Sequence, residues 1–181
     1  SISGQWDYIE PVLFGYAAGA VIASYVENFC TATDKIAAHF HEWMTAAGGL
    51  YLRRHAPYVA TLFTTHATVM GRCIAGNHLP LYTDLTKFNA DELARQFNVV
   101  AKHSIEKAAA AYHDAFVTVS DITANECKFL LGREPDCITP NGFENDFVWT
   151  GEEYDAKRAE ARKTMISVAE ACLGEKIAEE P

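Results

Sequence analysis

Tyr58-Val59-Ala60-Thr61-Leu62-Phe63-Thr64-Thr65, followed at once by His66, is the stretch on which the fold of this chain turns. Its run of β-branched and aromatic residues predicts a strand that stops at the histidine. Working outward, Ile36 to Phe40 reads as a shorter strand ending in His41-Glu42-Trp43, and Met44 to Arg53 as the helix after it. Downstream, Ala115 to Val119 and Cys137 to Thr139 are brief strands, the second running into the turn Pro140-Asn141-Gly142. A long helix is expected from about Asp91 to Tyr112, with Leu93, Phe97, Val100, Ala101, Ile105, Ala108 and Tyr112 at helical spacing and Asn89 with Glu92 as its cap. Ser120 opens a helix over Thr123 to Leu131, where Thr123 and Glu126 have capping-box spacing, and Gly132 stops it. Strands alternating with helices imply an α/β fold: a Rossmann-like parallel sheet with helices on both faces.

Two further helices flank this pattern. Val12 to Phe29 is apolar and rich in small residues, which predicts a buried helix, and Gly15 and Gly19 suggest close helix packing. A loop holding Phe143, Phe147 and Trp149 leads to a charged helix over about Glu153 to Leu173, with Ala161, Met165, Val168, Ala169 and Cys172 on one side and Gly174 at its end. That apolar side leaves self-association into a homo-oligomer open.

The 181 residues carry 15 Lys plus Arg against 24 Asp plus Glu, a net charge of −9. Clustered positive charge is what holds a phosphate backbone, so nucleic acid is not an expected partner. The most apolar stretch, Ala17 to Val26, is shorter than the roughly 20 residues a bilayer needs, so no membrane partner is expected. Five scattered cysteines without a Cys-x-x-Cys pair, and no export signal, point to the reducing cytoplasm.

In an open parallel sheet, ligands bind beyond the carboxyl ends of the strands. Four turns fall there: His41-Glu42-Trp43, Thr65-His66-Ala67-Thr68, Ser120-Asp121 and Asn141-Gly142. Taken singly, Ser120 is a helix cap and Asn141-Gly142 a tight turn; it is their convergence that suggests a site. His39 and His41 share a strand face, but a catalytic metal needs a third ligand that the sequence does not offer, and no metal is expected. Dinucleotide, P-loop and nucleophile-elbow motifs are missing. Glu42, Asp84, Asp91 and Asp121 supply carboxylates without a spacing that singles out a pair. The residues give a half-site and no reaction.

Four blocks go further. Ala38-His39-Phe40-His41-Glu42-Trp43, then Phe63-Thr64-Thr65-His66-Ala67-Thr68-Val69-Met70-Gly71-Arg72, then Val117-Thr118-Val119-Ser120-Asp121-Ile122-Thr123-Ala124-Asn125-Glu126, then Thr139-Pro140-Asn141-Gly142 resemble glycogen synthases of the fungal and animal type, in order and spacing. The resemblance implies a retaining glycosyltransferase of the two-domain GT-B fold that moves glucose from a nucleotide sugar, UDP-glucose or ADP-glucose, to the non-reducing 4-hydroxyl of an α-1,4-glucan, with no further cofactor. It makes His66 the catalytic residue beside the donor glucose. Arg72 would bind sugar or phosphate, and His41, Glu42, Trp43, Thr65, Ser120, Asn141 and Gly142 would line the substrate cleft.

The glycine-rich Lys-Thr-Gly-Gly loop of that fold is expected before residue 1, and the glutamates and phosphate-binding arginines of the second domain after residue 181. Residues 1–150 then form part of an N-terminal domain, and 151–181 a helix leading towards the C-terminal domain. A fragment of this kind is expected to be inactive alone, because catalysis needs a cleft closed from both sides. Alternatives are another GT-B nucleotide-sugar transferase with a different acceptor, or a non-catalytic glucan-binding or assembly module.

Overall fold

The computed structural model describes residues 6–144 and 148–177, so Phe147 lies outside the described residues. The chain divides into two compact units, residues 1–141 and 142–181. In the first, four parallel strands, β1 Ala37–His41, β2 Ala60–Thr65, β3 Ala115–Thr118 and β4 Cys137–Ile138, lie side by side in chain order. The register sets Phe40 beside Phe63 and Phe63 beside Phe116. These three rings therefore stand on one face of the sheet, where α2 (Glu42–His55) and α6 (Val100–Tyr112) contribute Ala46, Leu52, Ala109 and Ala110 to a shared core. The result is the expected Rossmann-like α/β arrangement, a parallel sheet flanked by helices.

The helix expected over Asp91 to Tyr112 is two helices. α5 spans Ala90–Gln96, capped by the Asn89 side chain accepting from Glu92 N–H, and the chain then breaks at Asn98, whose φ is +58°. A left-handed residue cannot continue a right-handed helix, and it turns the chain so that Ala90 and Ala94 pack into a second core with Met70, Ile74, Leu81, Leu85 and Leu130. Two elements not among those expected from the sequence are present, α3 (Val69–Gly76) and the single turn α4 (Leu81–Asp84). After β3, the cap is Ser120 rather than Thr123: Ser120 Oγ accepts from Thr123 N–H at 3.2 Å. The helix α7 is then Asp121–Glu126, followed by a π-helical turn over Cys127–Leu131 and a left-handed Gly132.

The first helix, α1, runs Ile9–Phe29, and the expectation that it is buried is corrected. Only Gly15, Gly19 and Val26 are buried, while Phe14 is 65% and Phe29 75% exposed. Composition gives apolarity all round, but packing uses a narrow seam: a Cβ on Gly19 would stand 2.6 Å from the Gly48 carbonyl oxygen of α2. At 21 residues α1 is also long and apolar enough to pass a length test for crossing a bilayer, which the shorter run Ala17 to Val26 did not suggest. One such helix is weak evidence of a membrane span, and α1 is seated on α2 through its glycines.

In the second unit, α8 covers Glu152–Leu173 between two left-handed glycines, Gly151 and Gly174. None of its residues is buried, and Met165 and Val168 are exposed. Lys157 lies over the Trp149 ring, 5.8 Å from its centroid.

Candidate active site

The carboxyl ends of β1 and β2 bring three histidines together because strand alternation sets His39 and His41 on one face and the register puts His41 beside Thr64, two residues before His66. The His39 and His41 rings are 4.1 Å apart at their centroids, and His39 Nε2 lies 2.7 Å from Thr64 Oγ1. His41 Nδ1 is 3.2 Å from His66 Nε2, so one ring nitrogen donates to the other. Desolvation against the sheet, followed by the nearby His41 and His66, holds the His39 pKa below the usual histidine range. Among the described residues no group of three or more His, Cys, Asp or Glu side chains has a metal-holding arrangement.

Glu42 ties the first turn to the second. Its Oε1 accepts the His66 backbone N–H at 3.1 Å and lies 3.6 Å from Arg72 Nη2. Its backbone is in the left-handed region, φ +63°, a conformation that costs a non-glycine residue on the order of 1 kcal/mol. Such strain persists where surrounding contacts enforce it, here a charge-assisted hydrogen bond and an ion pair. Arg72 is largely exposed, its guanidinium free to meet an anion while one edge faces Glu42.

The remaining expected residues have other surroundings. Trp43 is half-buried in the first turn of α2, with Lys102 Nζ 5.4 Å from its ring centroid. Thr65 is fully buried, and its hydroxyl donates to Glu106 Oε1 at 3.1 Å or to the Ala67 carbonyl at 3.4 Å. Ser120 caps α7 with its side-chain oxygen. Asn141 is exposed at the end of the first unit, and Gly142 is exposed at the start of the second. The structure thus joins His41, Glu42, His66 and Arg72 directly, and gives Trp43, Thr65 and Ser120 partners of their own.

Beneath the loop that carries His66 lie two buried carboxyls. Glu106 of α6 is fully buried and faces the Thr65 hydroxyl, while its Oε2 accepts Val69 N–H at 2.9 Å. Burial pushes its pKa up to about 8 against these hydrogen bonds. Glu126 Oε2 accepts from Thr68 Oγ1 at 2.8 Å, Thr68 Oγ1 in turn caps α3 by accepting Gly71 N–H, and the Tyr82 hydroxyl donates to Glu126 Oε1 at 3.3 Å. Spacing marks Glu126 only as a capping residue, and no motif contains Glu106. The signal for Glu106 is an ionisable residue on a core stripe: His103, Glu106, Ala110 and His113 recur at intervals of three and four on a helix otherwise rich in alanine.

The glycogen synthase family model matches residues 6–166. Over 144 residues the chain is 39% identical to the glycogen (starch) synthase of Dictyostelium discoideum, covering 80% of this chain and 16% of that protein. It is 35% identical over 133 residues to the Caenorhabditis elegans glycogen (starch) synthase, covering 74% and 20%, and 39% identical over 107 residues to the human liver enzyme, covering 59% and 15%. The chain thus spans between about a seventh and a fifth of the length of these relatives. With the family model matched from the first helix into the last, the strand-end histidines and Arg72 all fall inside the shared segment, and the chain belongs to the glycogen synthase family.

Proposed function

We propose that this segment forms one wall of the active cleft of a retaining glucosyltransferase that moves glucose from UDP-glucose or ADP-glucose to the non-reducing 4-hydroxyl of an α-1,4-glucan. One observation carries the reading: His66 is held at the mouth of β2 by both ends, its backbone N–H on Glu42 and its ring on His41. A fixed hydrogen-bonding ring at that place suits a group that contacts the sugar as the glycosidic bond to the diphosphate breaks. The anomeric carbon then gains positive character and the leaving oxygens gain negative charge, and a dipole already in position stabilises that change without reorganising. Arg72 suits the leaving diphosphate or a sugar hydroxyl, because a guanidinium presents paired donors to oxyanions. As the bond to the diphosphate breaks and the acceptor oxygen bonds to the anomeric carbon, the acceptor's proton passes to the departing diphosphate oxygen.

A second domain supplying the rest of the donor site is part of the proposal, and the isolated segment is inactive on this account, since donor charges must be clamped from both sides. The test is transfer of labelled glucose from each nucleotide sugar to glycogen by the complete gene product. His66→Ala is expected to lower kcat about 100-fold or more with a smaller change in KM, because the contact strengthens in the transition state. A folded, complete product that transfers from neither donor overturns the reading in favour of a different acceptor or a glucan-binding module. Undiminished turnover by His66→Ala assigns His66 a structural role.

A further inference from the structure

We propose that Glu106 is the positioning residue of the His66 loop: a buried carboxyl group that holds Thr65 and Val69, the residues on either side of the loop, and so fixes where His66 stands. The geometry carries this. One carboxyl oxygen is 3.1 Å from Thr65 Oγ1 at the end of β2, and the other accepts Val69 N–H at the start of α3, 2.9 Å away. Between those anchors lie only His66, Ala67 and Thr68, and Thr68 is held separately by Glu126. Glu106 itself is fully buried on a packed helix, so its position does not depend on side-chain choice in solvent.

The hydrogen bonds are complete when Glu106 is neutral. Its own proton then goes to Thr65 Oγ1, the Thr65 hydroxyl proton goes to the Ala67 carbonyl at 3.4 Å, and Val69 N–H goes to the other carboxyl oxygen. Desolvation favours that neutral form. The ionisable groups bearing on it are Glu42 of α2, Arg72 and Cys73 of α3, and Cys127 of the π-helical turn. Glu42 disfavours ionisation and Arg72 favours it. Ionisation turns the Thr65 hydroxyl proton from the Ala67 carbonyl to the carboxylate, so the loop carbonyl of Ala67 loses its donor.

The kinetic side of this inference rests on the glucosyl-transfer reading above, so the experiment carries a second readout that does not. In the complete gene product, Glu106→Gln and Glu106→Leu are compared for kcat, KM and hydrogen exchange over the 65–72 segment. The amide introduced by Glu106→Gln reproduces the neutral carboxyl, donating to Thr65 and accepting from Val69. The expected result is kcat within about threefold of wild type for Glu106→Gln. For Glu106→Leu, kcat falls about 100-fold at nearly constant KM, the effect of a misplaced catalytic group, with faster exchange over the loop. Wild-type kcat is expected to decline as pH rises through about 8, a limb that Glu106→Gln removes. If Glu106→Leu does not fold, Thr65→Val, which deletes only the bridging hydroxyl, is expected to lower kcat about tenfold and speed loop exchange. Wild-type exchange and kcat in the Leu or Val variant, or equal losses in the Gln and Leu variants, overturn the proposal. Absence of transfer by the wild-type protein with the exchange pattern intact overturns the functional reading and leaves the brace standing.

Discussion

At the residue scale, the candidate site is organised around Glu42, which has a left-handed backbone and a carboxylate shared between His66 N–H and Arg72. Two effects are combined there, and two variants separate them. Glu42→Ala loses the acceptor and keeps the strain; Glu42→Gly loses the acceptor and relieves the strain. Both are expected to be less stable than wild type, by roughly 1–3 kcal/mol for the unpaired His66 N–H, with the glycine variant the better of the two by about 1 kcal/mol. Thermal unfolding of the pair checks this, and equal midpoints would show that the backbone is unstrained. In the sequence, the histidines and Arg72 are legible because they sit in blocks at or just beyond strand ends. Glu42 is legible as a turn residue, but its left-handed backbone is not, since nothing in His41-Glu42-Trp43 demands it. Glu106 is hidden for a physical reason: a charge inside a helix is ordinarily a solvated face, and only the tertiary position of Thr65 and Val69 makes it an internal acceptor.

At the scale of elements, the seam between α1 and α2 decides how the first unit is built. Gly48 lies between the Phe40 ring and the Gly15 carbonyl, and a Cβ there would stand 2.5 Å from Phe40 Cε1 and 2.6 Å from Gly15 O. A backbone oxygen cannot move aside as a side chain can. Gly48→Ala is therefore expected to destabilise the protein by about 1–3 kcal/mol. Gly76→Ala is the matched control: open space surrounds that position, and a change within about 1 kcal/mol, in the stabilising direction, is expected. Denaturant midpoints for the two variants provide the measurement, and equal effects would count against a close-packed seam. The existence of β2, β3 and β4 is legible from short β-branched runs, and the α5 cap from Asn89. The division at Asn98 is not, because Phe97 and Val100 keep the helical period across it and only packing of Ala90 and Ala94 into the second core breaks it. Likewise apolar composition marks α1 as a helix but does not say which of its sides is covered.

At the scale of the whole molecule, two buried groups act on the pH dependence of stability in opposite senses. His113 is packed between the sheet and α2, its ring 5.4 Å from Phe63 and its Nε2 without a partner, and desolvation lowers its pKa to about 4. Its neutral form belongs to the fold, so its contribution is present above the ordinary 6.5 and is lost as pH falls towards 4. Glu106 has the opposite sign: raised from 4.5 to about 8, its contribution is present below 4.5 and is lost as pH rises to 8. Between 4.5 and 6.5 the Glu106 slope opposes that of His113, to which the lowered His39 and His103 add. A loss of about 2 kcal/mol is therefore expected from Glu106 as pH rises from 6.5 to 8, and a loss on the acid side as the buried histidines charge. Glu106→Gln is expected to abolish the alkaline decline and to expose a slope from pH 6.5 down to 4, which unfolding midpoints across pH would reveal. A wild-type decline above pH 6.5 that survives in Glu106→Gln would assign it to other groups.

The strand order carries a consequence for biosynthesis. Because β1, β2, β3 and β4 lie side by side in the order in which they are translated, each of β2, β3 and β4 finds one neighbour already made. Among the described residues, none of the four strands inserts between two others. On a ribosome adding about 5–20 residues per second, β2 at residues 60–65 follows β1 at 37–41 within a few seconds, with α2 between them to close the crossover. These four strands can therefore be added vectorially, and both strands that carry the histidine cluster are made before the helix that carries Glu106.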